Sequence, residues 1–265
     1  MDISRSLLGC CLVLAFAAQI SLARQLSVQA HANDLVWSHD HWFKLSFNTK
    51  AYCLGWMKNV EANNIKNWDL IPLNCYSTVK KYMEQGQYWV DLSVAGDAAW
   101  TYLSTFKADG HDAVMFDIDE TLLSTLEYQR DISVYGTTLF NSTAFDSYVA
   151  QGISPAIKSS LALYNKLKDA GFKLVICTGR KEQLRAVTEK NLQAEGYTDY
   201  TELVLKTEEY NGLTAAVYKS MARAKLVKEK GYVFRTCVGD QFSDCAGDAK
   251  GEDTFKFPNP MYYIK

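Results

Sequence analysis

A chain of 265 residues with 28 Lys and Arg against 30 Asp and Glu carries a formal net charge of −2, which excludes the positive excess that nucleic acid or an anionic membrane surface requires. With 48% hydrophobic residues and only 4 prolines, and with no repeat, low-complexity tract or Pro/Gly-rich linker, it reads as a compact body able to bury a substantial core. A small molecule is the partner that this balance leaves.

At the start, Arg5, a mostly apolar run over residues 7–20 and then Ser21-Leu22-Ala23 form the pattern of a secretory signal (residues 1–23) cleaved after Ala23. The run is shorter than the roughly 20 apolar residues a spanning helix needs, so no stable membrane insertion is expected after cleavage. The expected destination is the extracellular space or a vacuole.

Cys10 and Cys11 leave with the signal, and Cys53, Cys75, Cys177, Cys237 and Cys245 remain. That odd number leaves at least one thiol unpaired within the monomer. Cys53 and Cys75, in loop-rich surroundings, are the better disulfide candidates, whereas Cys177 and Cys237 lie inside apolar runs and read as core thiols. Connectivity stays open. Asn141-Ser142-Thr143 is a glycosylation sequon in a chain expected to be exported.

Residues 24–110 are expected to form a mainly helical part packed on the core, with helical spacing over residues 79–83. His39-Asp40-His41 lacks further ligands at metal-site spacing, and Trp37, Trp42, Trp56 and Trp68 read as packing in the absence of a basic excess. Residues 111–265 are organised differently. Runs at 113–116, 172–177, 203–205 and 232–238 are short and rich in β-branched or aromatic residues, as strands buried on both faces are.

Between them lie helices. One is expected to start with Ser154 as N-cap and Pro155 in its first turn, to carry Ile157, Leu161, Tyr164 and Leu167 on one stripe, and to stop at Gly171. Another covers residues 213–230 and ends at Gly231. This alternation predicts an α/β fold, a Rossmann-like parallel sheet flanked by helices. Residues 126–152 are too long for a simple connection and are expected to form a small cap.

Three of the four strands run directly into reactive-looking residues: Asp117 to Thr121, Thr178-Gly179-Arg180, and Gly239-Asp240. In an open parallel sheet these would meet in one crevice beyond the carboxyl ends of the strands. Asp117 and Asp119, two residues apart, would point to one side if strand geometry persisted. Two such charges about 4 Å apart repel by about 4 kcal/mol at an effective dielectric near 20. A cation is therefore required before a phosphate can approach, and Asp240 and Asp244 add hard oxygen ligands of the kind magnesium prefers. Thr178 suits phosphate oxygens, and Lys219 or Lys225 would supply a fixed positive charge.

Asp-x-Asp-x-Thr, Thr-Gly-Arg, a downstream lysine and Gly-Asp-x-x-x-Asp, in this order, resemble the four motifs of haloacid-dehalogenase phosphatases. Tyr52-Cys53-Leu54-Gly55-Trp56, Val60-Glu61-Ala62-Asn63-Asn64 and Gly86-Gln87-Tyr88 extend the resemblance to plant acid phosphatases and vegetative storage proteins, from about residue 51 to 264. The resemblance implies hydrolysis of small phosphate monoesters with Mg2+ as cofactor. Asp117 would be the phosphoryl acceptor, Asp119 the acid and base, Thr178 with Gly179 and Arg180 the phosphate site, and Lys219 the clamp. The metal ligands would be Asp117, the Asp119 backbone carbonyl, Asp240 and Asp244. Some storage relatives lack the nucleophilic Asp, and here Asp117 is intact. A storage role, a phosphotransferase using the same residues and a homodimer are left open.

Overall fold

The computed structural model describes residues 49–265. The expected signal segment and His39-Asp40-His41 lie outside the described residues. Helix α1 (Thr49–Glu61) buries Cys53, Trp56, Met57 and Val60, and a disulfide from Cys53 to Cys75 ties it to the helical turn Leu73–Cys75. Both cysteines therefore sit on helical backbone rather than in loops. The other three, Cys177, Cys237 and Cys245, are free and buried.

Helices α2 (Tyr76–Glu84) and α3 (Gln87–Leu103) come next. The α3 face of Tyr88, Leu92, Ala99 and Leu103 is buried, and α3 packs on α6 (Lys158–Asp169). Two short helices, α4 (Leu126–Asp131) and α5 (Ser142–Val149), lie in the 126–152 stretch, joined by a small cluster of Tyr128, Tyr148 and Val149.

The centre is a five-stranded sheet of β1 (Asp112–Phe116), β2 (Lys173–Lys181), β3 (Glu202–Lys206), β4 (Val233–Gly239) and β5 (Phe255–Lys256). All pairs are parallel and the order is β3-β2-β1-β4-β5. Side chains alternate between two cores, as the period of a strand demands. Val114, Phe116, Leu174 and Ile176 enter the core shared with α3 and α6. Ala113, Met115, Val175 and Cys177 enter the other, with Tyr218, Ala222 and Leu226 of α8 (Ala215–Lys230). Both faces are covered, which explains the unbroken apolar character of the strands. Helix α7 (Arg185–Ala194) completes the set.

Two expected boundaries shift. Helix α8 begins at Ala215, with Thr214 accepting from the Val217 N–H, and closes on Gly231 at φ +70°. Helix α6 begins only at Lys158, and Ile157 stands at its N-cap with no side-chain bond. Ser154 is not the cap and Pro155 is not in the first turn. Their segment is extended: the Ser154 backbone exchanges two hydrogen bonds with the Asn191 amide, the Ser124 N–H donates to the Pro155 carbonyl, and Ala156 bridges Leu123. A local capping preference gives way to these longer-range bonds.

Candidate active site

The chain adds β1, β2 and β3 in one direction and then returns to place β4 on the other side of β1. The switch between β1 and β4 opens a crevice at their carboxyl ends, and Asp117 and Asp240 immediately follow those two strands. The backbone holds them there: the Asp117 N–H donates to the Val238 carbonyl at 3.1 Å, and the N–H groups of Thr121, Leu122 and Leu123 all turn back onto the Ile118 carbonyl. Strand geometry ends at Phe116, and Glu120 at φ +55° turns the chain sharply.

In this turn Asp117 and Asp119 part company. Asp117 is buried and accepts from Lys219 Nζ at 2.5 Å. The same ammonium reaches Asp244 at 2.6 Å. Carboxylate oxygens of Asp117, Asp240 and Asp244 all lie within 4.8 Å of one another. Asp119 instead meets Arg180, whose Nη2 donates at 2.7 Å and whose Nε lies 3.2 Å from both carboxylate oxygens. Arg180 is itself buried, and its guanidinium is occupied by this carboxylate. Thr178 is buried beneath it and accepts from the Arg180 N–H, while Gly179 faces open space. Lys225 is exposed on α8, so of the two candidate lysines only Lys219 reaches the cluster.

Gly239 explains the close approach of β4 to this cluster. A Cβ built there would overlap the Asp244 carboxylate, so only glycine at that strand position leaves room for the acid. The Asp244 backbone is gripped in turn by Arg223, fully buried and one turn beyond Lys219 on α8, which donates to the carbonyls of Asp244 at 2.8 Å and Asp248 at 2.9 Å.

The electrostatics are unbalanced. Burial pushes the Asp117 carboxyl well up, Lys219 pulls it down, and Asp244, Asp240 and Asp119 add to the rise. Asp240 is pushed to about 7 by burial, Asp244 and Glu120, against hydrogen bonds from Asn259 and Gln241. Burial alone would discharge Lys219, but Asp117 and Asp244 hold its ammonium charged. One ammonium cannot balance three buried acids, and a divalent cation among them would. The donor set is all hard oxygen, so the residues present fit magnesium.

Glu120, Arg223, Asn259 and Tyr262 were not indicated by motif, whereas Thr121 closes the Asp-x-Asp-x-Thr motif. Glu120 is fully buried and accepts from the Thr125 N–H and hydroxyl and from the Tyr262 hydroxyl, and burial raises its carboxyl to about 7. Arg223 could have been found, because it lies four residues after Lys219 and so on the same helix face. Asn259 and Tyr262 carry no comparable signal.

A parallel α/β sheet with two acids two residues apart after its first strand, and a lysine-bridged acid cluster across the switch point, defines the haloacid-dehalogenase-like class. The described fold is similar to the class C acid phosphatase from Bacillus anthracis, with a TM-score of 0.59 and 20% identity over 70% of this chain and 83% of that one. Residues 39–265 match the family model described as HAD superfamily, subfamily IIIB (Acid phosphatase), and the chain belongs to that family. It is 41% identical over 214 residues to Acid phosphatase 1 of Solanum lycopersicum, covering 80% of this chain and 83% of that protein. It is 37% identical over 246 residues to the Stem 28 kDa glycoprotein of Glycine max, covering 89% and 93%. Vegetative storage protein 1 of Arabidopsis thaliana is 38% identical over 218 residues, covering 80% and 78%. By family, the chain is a phosphatase. Among the described residues no helix is long and apolar enough to cross a membrane.

Proposed function

We propose that this protein is an exported, magnesium-dependent acid phosphatase that hydrolyses small phosphate monoesters through an aspartyl-phosphate on Asp117. The observation that carries the reading is the buried meeting of Asp117, Asp240 and Asp244 around Lys219 at the switch point of the sheet. Acids are held together in this way, against their mutual repulsion, where a cation and a phosphate are to be bound.

Asp117 attacks phosphorus as the bond to the ester oxygen breaks, and the Asp119 carboxyl gives its proton to the departing alcohol. Asp119, now a carboxylate, takes a proton from water. That water attacks the same phosphorus, the bond to Asp117 breaks, and inorganic phosphate leaves. Arg180 keeps Asp119 aimed throughout with its N–H contacts. The Thr178 hydroxyl and the Gly179 N–H receive phosphate oxygens, and Lys219 meets the charge that develops on them. Magnesium, held by Asp117, Asp240, Asp244 and the Asp119 backbone carbonyl, would neutralise the phosphate dianion and polarise its oxygens. A cavity of about 280 Å³ borders Gly179 and is lined further by Lys181, Gln183, Lys206, Thr207, Glu208 and Asn211.

The disulfide Cys53–Cys75 supports an oxidising compartment. Asn141 is exposed at the start of α5 and its side chain caps that helix, so the sequon is accessible. Both favour the secretory route, as do the names of the stem and storage relatives.

Those names also favour a second reading, amino-acid storage. Hydrolysis of an aryl phosphate by the purified protein, with and without magnesium and beside Asp117→Asn, decides between them. Activity that needs both the metal and Asp117 is expected, with Asp117→Asn folded but inactive. An inactive wild-type protein across the pH range would leave storage, and retained activity in Asp117→Asn would remove the covalent step. Product analysis with an added acceptor alcohol separates hydrolysis from phosphotransfer.

A further inference from the structure

The carboxylate of Asp240 is clamped asymmetrically. Its Oδ2 accepts from Asn259 Nδ2 at 2.6 Å and from Gln241 Nε2 at 2.7 Å, whereas Oδ1 receives only the Thr121 hydroxyl, at 3.3 Å. Both amides are fixed in the orientation this needs. The Asn259 Oδ1 accepts the Met261 N–H at 2.9 Å and the Gln241 Oε1 accepts the Ile264 N–H at 2.8 Å. With each oxygen held by a main-chain donor, each nitrogen faces Asp240.

The C-terminal segment is built to hold this position. Residues 257–261 are buried. Asn259 stands between Pro258 and Pro260, which limit its own backbone and that of its neighbours. Its N–H donates to Glu61 Oε1 of α1 at 2.9 Å. A chain of bonds thus runs from α1 through Asn259 to Asp240, and none of its members before Asp240 belongs to the four haloacid-dehalogenase motifs.

We propose that the C-terminal segment is a positioning element of the metal site, with Asn259 its central residue and Gln241 its partner. Neither touches the cation. Together they saturate one oxygen of Asp240, stop the carboxylate from rotating, and leave Oδ1 as the oxygen offered to the metal. The inference rests on the proposed magnesium dependence. Outer-shell partners of this kind change metal affinity or activity by about 10- to 100-fold when removed.

The test is calorimetric titration of Mg2+ alone into the metal-free protein, for wild type, Asn259→Leu and Gln241→Leu, with thermal melting as a fold control. Each variant should bind Mg2+ about 10- to 100-fold more weakly. The half-saturating Mg2+ concentration for aryl phosphate hydrolysis should rise by the same factor, while KM for the ester at saturating Mg2+ stays near the wild-type value. Gln241→Leu keeps the C-terminal segment intact and serves if Asn259→Leu does not fold. Wild-type Mg2+ affinity in a folded variant would overturn the positioning role, as would a loss of activity that no Mg2+ concentration relieves. A wild-type protein that binds no Mg2+ would remove the magnesium reading, and this inference with it.

Discussion

Lys219→Met tests the electrostatic account of the site most directly. In wild type the Lys219 ammonium lies 2.5 Å from Asp117 and 2.6 Å from Asp244, and all three side chains are buried. Methionine fills a similar volume, so packing is largely kept while the charge is lost. Removing one partner of a buried ionic cluster typically costs about 3–5 kcal/mol, because the remaining charges are left uncompensated. For a domain of this size each kcal/mol lowers the melting temperature by about 2–4 °C, so without metal the variant should melt about 6–20 °C below wild type. Magnesium then acts differently on the two proteins. In the variant no ammonium competes for the carboxylates, so added Mg2+ should raise its melting temperature by a larger increment than it does in wild type. Activity should not follow. Loss of a group that meets developing charge costs about 10²- to 10³-fold in turnover, and no cation restores a fixed ammonium at that place. Calorimetric melting across a Mg2+ series, paired with steady-state hydrolysis, separates the two effects. A metal-free Lys219→Met that melts at the wild-type temperature would refute the reasoning, as would a variant whose activity returns together with its stability.

Arg180→Gln should release Asp119 from the guanidinium fork, lowering kcat by about 10- to 100-fold with a smaller change in KM, since the role assigned to it is aiming a proton donor; a kcat loss larger than that of Asp119→Asn would show that Arg180 does more than orient its neighbour. Replacing both Cys53 and Cys75 by Ser opens a link across a sequence separation of 22, which the chain-entropy relation values at about 3 kcal/mol; melting should fall by about 6–12 °C, and KM of the folded enzyme should not move because the link lies outside the acid cluster. Gly239→Ala places a methyl group against the Asp244 carboxylate, and the forced shift should cost about 1–3 kcal/mol in stability and weaken Mg2+ binding in the same calorimetric titration; normal binding would mean that the loop after β4 absorbs the methyl without moving Asp244.

The elements legible in the sequence are those whose physics is local or periodic. The runs at 113–116, 172–177, 203–205 and 232–238 announce strands because both faces of β1, β2 and β4 meet an apolar layer and little polar alternation interrupts them. Gly231 announces the end of α8 because only a residue comfortable at positive φ closes it easily. The two-residue β5 is too short to carry any periodicity. Ser154 and Pro155 have the right chemistry for a helix start, yet Asn191 and Leu123, distant in sequence, hold them extended. The acids of the site were visible because they follow strands directly. The Asn259 amide that orients Asp240 was not, since it lies 19 residues further on and only the tertiary fold joins the two.

The chain is similar over most of its length to relatives named as a phosphatase and as a storage protein, so the likeness alone does not say which role it plays, but the energetics of the site bear on it. A buried ionic cluster is weak evidence for stability: well-packed apolar residues of similar volume in its place are often neutral or stabilising by about 1–4 kcal/mol. A chain whose only task is to accumulate would be free to relax Asp117, Lys219 and Asp244 into such residues. This one retains all three, buries Asp240 beside them, keeps a glycine at 239 so that Asp244 can approach, and commits Arg180 to Asp119 and Arg223 to the backbone of the Asp244 loop. Local arrangements that work against stability while being supported from several elements are the mark of functional sites. The site is therefore better explained by the phosphoryl chemistry it can perform than by the fold it sits in.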